Sequence, residues 1–256
     1  MGKIRILMLA GTGEARALAQ ALADTSRYEV LLSLAGRTEK PSDQPVPCRI
    51  GGFGGADGLA AFLLDGRFDM LIDATHPFAM RISANASEAA AAVGIPAFAL
   101  RRPEWVAVPG DRWTHAATVT EAIERLGASP RRVFLAIGRQ EAHRAEIAPQ
   151  HFYLVRSVDP VEPPLVLPDV QFVFDRGPYD VDREVSLLRN HRIDALVTKN
   201  SGGSATYAKI EAARRLGIEV MMVARGPAAA MQTVTTVEAM LAAIDHLFPP
   251  AMKRGV

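Results

Sequence analysis

Short runs rich in valine, isoleucine and leucine recur along this chain. Each is followed by a longer stretch in which alanine, glutamate and arginine mix with apolar residues at helical spacing. This alternation constrains the fold more than any single motif. A strand that is apolar on both faces must be covered by helices on both sides, as in the βαβ units of a parallel sheet. The pattern predicts strands at 4–10, 30–33, 46–50, 70–74 and 95–100, with helices at 14–23, 56–64 and 78–93. From Arg101 to Arg112 two prolines, a glycine, a tryptophan and several charges break the pattern, as a crossover between domains would. Beyond it, strands are predicted at 133–137, 153–157, 172–174, 195–198 and 219–224, and helices at 119–126, 141–148, 181–191, 206–216 and 237–247. The chain reads as α/β, with two Rossmann-like, doubly wound parallel-sheet domains, 1–103 and 104–256, expected to face each other across a cleft. In such sheets ligands sit at the carboxyl ends of the strands.

Composition narrows the function classes. With 256 residues and 49% hydrophobic content the chain suits one large domain or two of ordinary size, with apolar material for a real core. A net charge of +1 gives no broad basic field to draw nucleic acid. Cys48 is the single cysteine, which excludes an internal disulfide, a Cys-based zinc site and a CxxC redox pair, and suits a reducing compartment. Lys3 and Arg5 precede an apolar stretch, but that stretch is too short for a signal peptide and runs into Gly11. No run of about 18 apolar residues offers a membrane span. The expectation is a cytoplasmic protein with neither membrane nor nucleic acid as partner.

The loops after the predicted strands carry the candidate chemistry. Gly11-Thr12-Gly13-Glu14-Ala15-Arg16 follows the first strand and opens a helix. Glycines there let the backbone approach a pyrophosphate, and the helix N-terminus supplies oriented N–H groups. Arg16 occupies the place of the third glycine in G-x-G-x-x-G, and a turn needing glycine for geometry alone is the alternative. After the second strand a site for NAD would carry an acidic residue to hold the ribose. Here stand Ser33, Ala35, Gly36, Arg37 and Thr38, which suit a ribose phosphate and thus NADPH. Gly51, Gly52, Gly54 and Gly55 follow the third strand, and either wrap a ligand closely or form a pliant connection. After the fourth, Thr75 and His76 precede Pro77 near a helix start, so His76 can donate to a ligand or move a proton, or simply brace the loop.

Four stretches together are more specific: Gly11-Thr12-Gly13-Glu14-Ala15, Asp73-Ala74-Thr75-His76-Pro77-Phe78-Ala79, Arg101-Arg102-Pro103-Glu104-Trp105 and Thr198-Lys199-Asn200-Ser201-Gly202-Gly203. In this combination the chain resembles the precorrin-6A reductases of cobalamin biosynthesis, from Ile4 to about Leu247. The resemblance implies reduction of one double bond of a tetrapyrrole-derived macrocycle, precorrin-6A, by NADPH, to give precorrin-6B. The cobalt-containing macrocycle of the anaerobic branch is the alternative substrate. It implies an N-terminal NADP-binding domain and a C-terminal domain contributing to substrate and cofactor binding.

The second half supplies further candidates. Lys199, Asn200, Ser201 and Gly202 form a strand-to-helix turn suited to anions, with Lys199 as a point charge and Ser201 as a donor. Precorrins are rich in carboxylates and arginine forks bind carboxylates, so Arg101, Arg102, Arg139 and Arg176 are candidate substrate clamps beside Lys199 and Asn200. Singly, each could be an ordinary surface arginine. Hydride transfer needs positioning more than acid–base machinery. If a protein acid delivers the accompanying proton, His76 and Tyr207 are the candidates. Tyr-x-x-x-Lys, His-Glu-x-x-His and Gly-x-Ser-x-Gly are all absent, which removes a short-chain dehydrogenase, a zinc hydrolase and a serine hydrolase and points to no metal. A dinucleotide-binding sensor without turnover is the non-enzymatic alternative.

Overall fold

The computed structural model describes residues 3–36 and 43–249. In chain order β1 (Ile4–Ala10), α1 (Gly13–Ala23), β2 (Tyr28–Leu34), β3 (Cys48–Ile50), α2 (Ala56–Asp65), β4 (Met70–Asp73), α3 (Met80–Val93) and β5 (Ala97–Leu100) come first. There follow β6 (Trp113–Ala116), α4 (Val119–Glu124), β7 (Arg132–Ala136), a 3₁₀ helix (Arg139–Ile147), β8 (Phe152–Ser157) and β9 (Val170–Phe174). Next are α5 (Val181–Asn190), β10 (Ala195–Lys199), α6 (Ala208–Leu216) and β11 (Glu219–Val223), and the chain closes with β12 (Gln232–Val234) and α7 (Val237–Leu247).

Two compact units result, one formed by residues up to Arg102 together with those from Pro227 on, the other by Pro103–Gly226. Each holds a six-stranded sheet, ordered β12-β5-β4-β1-β2-β3 in the first and β6-β11-β10-β7-β8-β9 in the second. Every neighbouring pair is parallel. In the first unit Ile6, Met8 and Ala10 face Leu18, Leu22, Met240 and Ile244 of α1 and α7. Leu7 and Leu9 face Leu59, Leu63, Ala86 and Ala90 of α2 and α3. Burial on both faces explains why β1 is apolar throughout, and each such side chain contributes roughly 1.5–3 kcal/mol. In the second unit Phe134, Leu154, Leu196 and Met222 pack with Leu188, Ile210 and Ala213.

The α/β class and the two doubly wound parallel sheets agree with the sequence reading; several details differ. The division falls at Arg102–Pro103, but the last described residues return to the first unit, where β12 pairs with β5 and Met240 and Ile244 of α7 join the first core. The expected 104–256 domain is therefore shorter. Each unit takes an edge strand from the chain just after it leaves the other unit: β6 follows β5 yet pairs with β11, and β12 follows β11 yet pairs with β5. Both edge strands escape the periodicity reading because Trp-Thr-His-Ala and Gln-Thr-Val lack an apolar run. The helix expected at 141–148 is 3₁₀: Ala142, Ala145 and Ala148 are buried at spacings of three, which suits three residues per turn.

Candidate functional site

In the first unit β1 and β4 lie side by side, while the chain extends the sheet from β1 toward β3 and from β4 toward β12. The loops after β1 and β4 therefore meet at a topological switch point, where open α/β sheets place their ligands. Thr12 ties the two loops together: its hydroxyl donates to the Ala74 carbonyl at 2.9 Å and accepts from the Ala15 amide at 3.1 Å, capping α1. The amides of Gly13 and Glu14 begin that helix, where no intrahelical acceptor is available. A Cβ added to Gly11, Gly13, Gly51 or Gly52 would meet nothing within 4 Å. Gly13 and Gly52 have no left-handed φ either, so neither conformation nor packing calls for glycine there. The open space above these α-carbons is what a closely held pyrophosphate needs, and on that test the edge fits a dinucleotide.

The β4 loop is braced from below. Asp73 is fully buried; its Oδ1 accepts from the Thr75 amide at 3.0 Å and the Thr75 hydroxyl at 2.7 Å. Its other oxygen pairs with Arg101. Arg101 also donates to the carbonyls of Asp73 (2.9 Å) and Thr75 (3.1 Å) and to the Ser83 hydroxyl (2.7 Å). Arg102 pairs with Glu14 at 2.9 Å, placing a cation against the one carboxylate in the first turn of α1. The structure thus turns both arginines toward the first unit's own carboxylates. At His76, Nδ1 accepts from the Phe78 amide at 3.3 Å, so the neutral ring carries its proton on Nε2.

At the far side of the edge Ser33 is buried and its hydroxyl accepts from Arg49 at 2.8 Å. Gly36, in the following turn, is left-handed at φ 72° beside Ile50. Ala35 and Gly36 are the last described residues before the gap; Arg37 and Thr38 lie outside the described residues. The sequence reading missed Arg49, whose only signal is a charge inside the short strand Cys-Arg-Ile.

In the second unit the switch point lies between β7 and β10. Gly138, at φ 85°, leads from β7 into the 3₁₀ helix. Arg139 lies 3.8 Å from Asp159, and Lys199 pairs with Glu141, so two expected cations come to this edge with carboxylates beside them. Arg176 follows β9 on the same edge, its amide donating to Asp175. Asn200 is occupied: its side-chain oxygen accepts from the Trp105 amide at 2.8 Å, and its nitrogen donates to the Trp105 carbonyl at 3.0 Å. Arg225 donates to the carbonyls of Asn200 and Ser201 at 2.9 and 3.0 Å. Gly202 is left-handed, and a Cβ there would strike the Pro103 carbonyl and Arg225. Trp105, Tyr179, Val181 and Tyr207 line a cavity of about 480 Å3. Burial pushes the Tyr179 phenol up, against the lowering pull of Arg156. The Tyr207 hydroxyl accepts from Arg214 at 2.5 Å, and Arg214 is held by Asp111. His76 and Tyr207, the two proposed proton donors, thus belong to different units.

Among the described residues no helix is long and apolar enough to cross a membrane, and no cluster of three or more His, Cys, Asp or Glu residues could hold a metal. The family described as precorrin-6x reductase CbiJ/CobK matches residues 5–245. A protein of a Sinorhizobium species named precorrin-6A reductase is 58% identical over 251 residues, covering 98% of this chain and 96% of the relative. The precorrin-6A reductase of Rhodobacter capsulatus is 46% identical, covering 98% and 99%. A solved structure titled CobK precorrin-6A reductase superimposes with a TM-score of 0.92 at 45% identity, covering 98% of this chain and 99% of that one.

Proposed function

The chain belongs to the precorrin-6x reductase family, and on that premise we propose that it is a cytoplasmic, NADPH-dependent precorrin-6A reductase that forms precorrin-6B in cobalamin biosynthesis. The observation that carries the cofactor reading is the row of glycines at the first unit's edge, Gly11 and Gly13 beside Gly51 and Gly52, above whose α-carbons the structure leaves open space. When bound, NADPH supplies the hydride; the residues hold, orient and exclude. The Gly13 and Glu14 amides and the α1 dipole receive the pyrophosphate. Thr12, bonded to Ala74, fixes the spacing of the β1 and β4 loops around it. Arg102 offsets Glu14, which would otherwise repel a phosphate at that helix end. Asp73 and Arg101 hold the backbone that presents Thr75 and His76, and His76, whose Nδ1 accepts from the Phe78 amide, donates from Nε2 to cofactor or substrate. Ser33, Ala35 and Gly36 line the ribose end, and Arg37, which follows them in the sequence, is a candidate partner of the ribose phosphate.

In the second unit Arg139, Arg176 and Lys199 take substrate carboxylates. Each carboxylate arriving at Lys199 or Arg139 exchanges for Glu141 or Asp159. Asn200 serves this turn by fixing Trp105, with Ser201 and Gly202 carrying the turn's backbone. Tyr207 is the second candidate to deliver the proton. The test is anaerobic mixing of the protein with NADPH and precorrin-6A. Loss of the reduced-nicotinamide absorbance, matched by a macrocycle two hydrogens heavier, is expected. Tight NADPH binding with no oxidation would instead indicate a dinucleotide sensor.

A further inference from the structure

The cations at these two strand edges mostly stand beside carboxylates: Arg101 with Asp73, Arg102 with Glu14, Arg139 with Asp159, Lys199 with Glu141. Arg49 does not. No carboxylate lies within ion-pair distance of it among the described residues, yet its side chain is held firmly. One Nη1 proton goes to the Ser33 hydroxyl at 2.8 Å and the other to the Gly51 carbonyl at 3.0 Å, while Nη2 donates to the Gly52 carbonyl at 3.0 Å. The guanidinium plane rests on the Phe53 ring at 4.0 Å, with Phe62 at 5.2 Å. A guanidinium has five N–H groups, so these bonds leave Nε–H and one Nη2–H without an acceptor among the described residues. Strand register puts Arg49 directly beside Ser33, which lies beside Leu9. Arg49 therefore stands at the carboxyl end of β3, beside β2, the strand after which an acidic residue would read a ribose hydroxyl in a site for NAD.

We propose that Arg49 is a specificity-determining residue, the preset cation that receives the 2′-phosphate of the dinucleotide's adenosine. A fixed fork with two remaining donors and, among the described residues, no carboxylate to offset its charge suits a phosphate dianion and costs little ordering on binding. The inference rests on the NADPH reading.

Calorimetric titration of wild type, R49Q and R49K with 2′,5′-ADP and 5′-ADP tests it, with NADPH and NADH as a second pair. Wild type should prefer 2′,5′-ADP by about 10- to 100-fold, the range for a charged hydrogen bond. R49Q should lower that ratio about tenfold with 5′-ADP affinity unchanged, and R49K should fall between. An unchanged ratio in R49Q overturns the inference and leaves the NADPH reading standing. Equal loss of both nucleotides also overturns it, reducing Arg49 to a brace for the glycine turn. A wild type without preference for the phosphorylated nucleotide removes the NADPH reading itself. If R49Q does not fold, R49K decides: its ratio must drop several-fold, and an unchanged ratio overturns the inference.

Discussion

The two units share one topology and use their switch points in different ways. In the first, the strand ends carry glycines whose α-carbons face open space, and the polar side chains nearby point inward as braces. In the second, the corresponding turn is crowded: Asn200, Trp105 and Arg225 lock it, and its Gly202 is demanded by the Pro103 carbonyl beside it. Glycine thus means room for a ligand in one sheet and lack of room for a side chain in the other. A doubly wound sheet fixes where a site lies, and the loop chemistry decides whether backbone or side chains do the binding.

Point variants in each unit would break or sharpen this contrast. The largest effect is expected from Asp73→Ala, which strands Arg101 and should cost the first unit about 3–5 kcal/mol. Trp105 and Trp113 both lie in the second unit, so tryptophan fluorescence should report that unit unfolding later than circular dichroism reports the loss of helix. Coincident loss of both signals would show that the units do not unfold separately. Next, Gly202→Ala should destabilise the second unit by about 1–3 kcal/mol through its left-handed backbone and the crowded carbonyl. Gly13→Ala should stabilise α1 by roughly 0.5–1 kcal/mol while weakening NADPH binding about tenfold. If both changes cost stability alone, the distinction between the two kinds of glycine is lost.

Arg37→Ala should weaken NADPH by about 1.5–3 kcal/mol, the range for a charged hydrogen bond, and leave NADH almost untouched. Arg139→Ala and Arg176→Ala should instead raise KM for the macrocycle with dinucleotide affinity unchanged, and the reverse pattern would exchange the units' roles. The smallest effect is on pH dependence. Burial, and then Arg131, hold His151 below its ordinary value of 6.5. Its contribution is complete above that value. As pH falls through it toward the lowered folded value, the unfolded chain takes up the proton first and stability is lost, by at most about 1.4 kcal/mol per pH unit. His151→Gln should flatten that slope in tryptophan-monitored melts, and an unaltered slope would assign it to other groups.

Much of this was legible in the sequence, for physical reasons. Central strands such as β1 and β10 are buried on both faces and so announce themselves as apolar runs, and the glycine turn that follows β1 needs no tertiary knowledge to find. The edge strands β6 and β12 are short and partly exposed, and their pairing comes from chain segments far away in sequence. No local pattern marks them, and the return of the C-terminal segment to the first unit stayed hidden with them. Residue type alone also could not separate a binding arginine from a bracing one. Arg101 and Arg102, read from the sequence as clamps for an acidic substrate, also stand beside Asp73 and Glu14 in the fold, which residue type could not foretell. Arg49 looks like an ordinary strand residue until it is seen without a carboxylate partner among the described residues.

The central claim is that the first unit's open glycine edge binds the dinucleotide. An amide-detected NMR titration with NADPH tests it most directly. The largest shifts are predicted at Gly11, Gly13, Glu14, Gly51, Gly52 and Thr75, with Gly202 and its neighbours moving less. Shifts confined to the second unit, or none at saturating NADPH, would contradict the account.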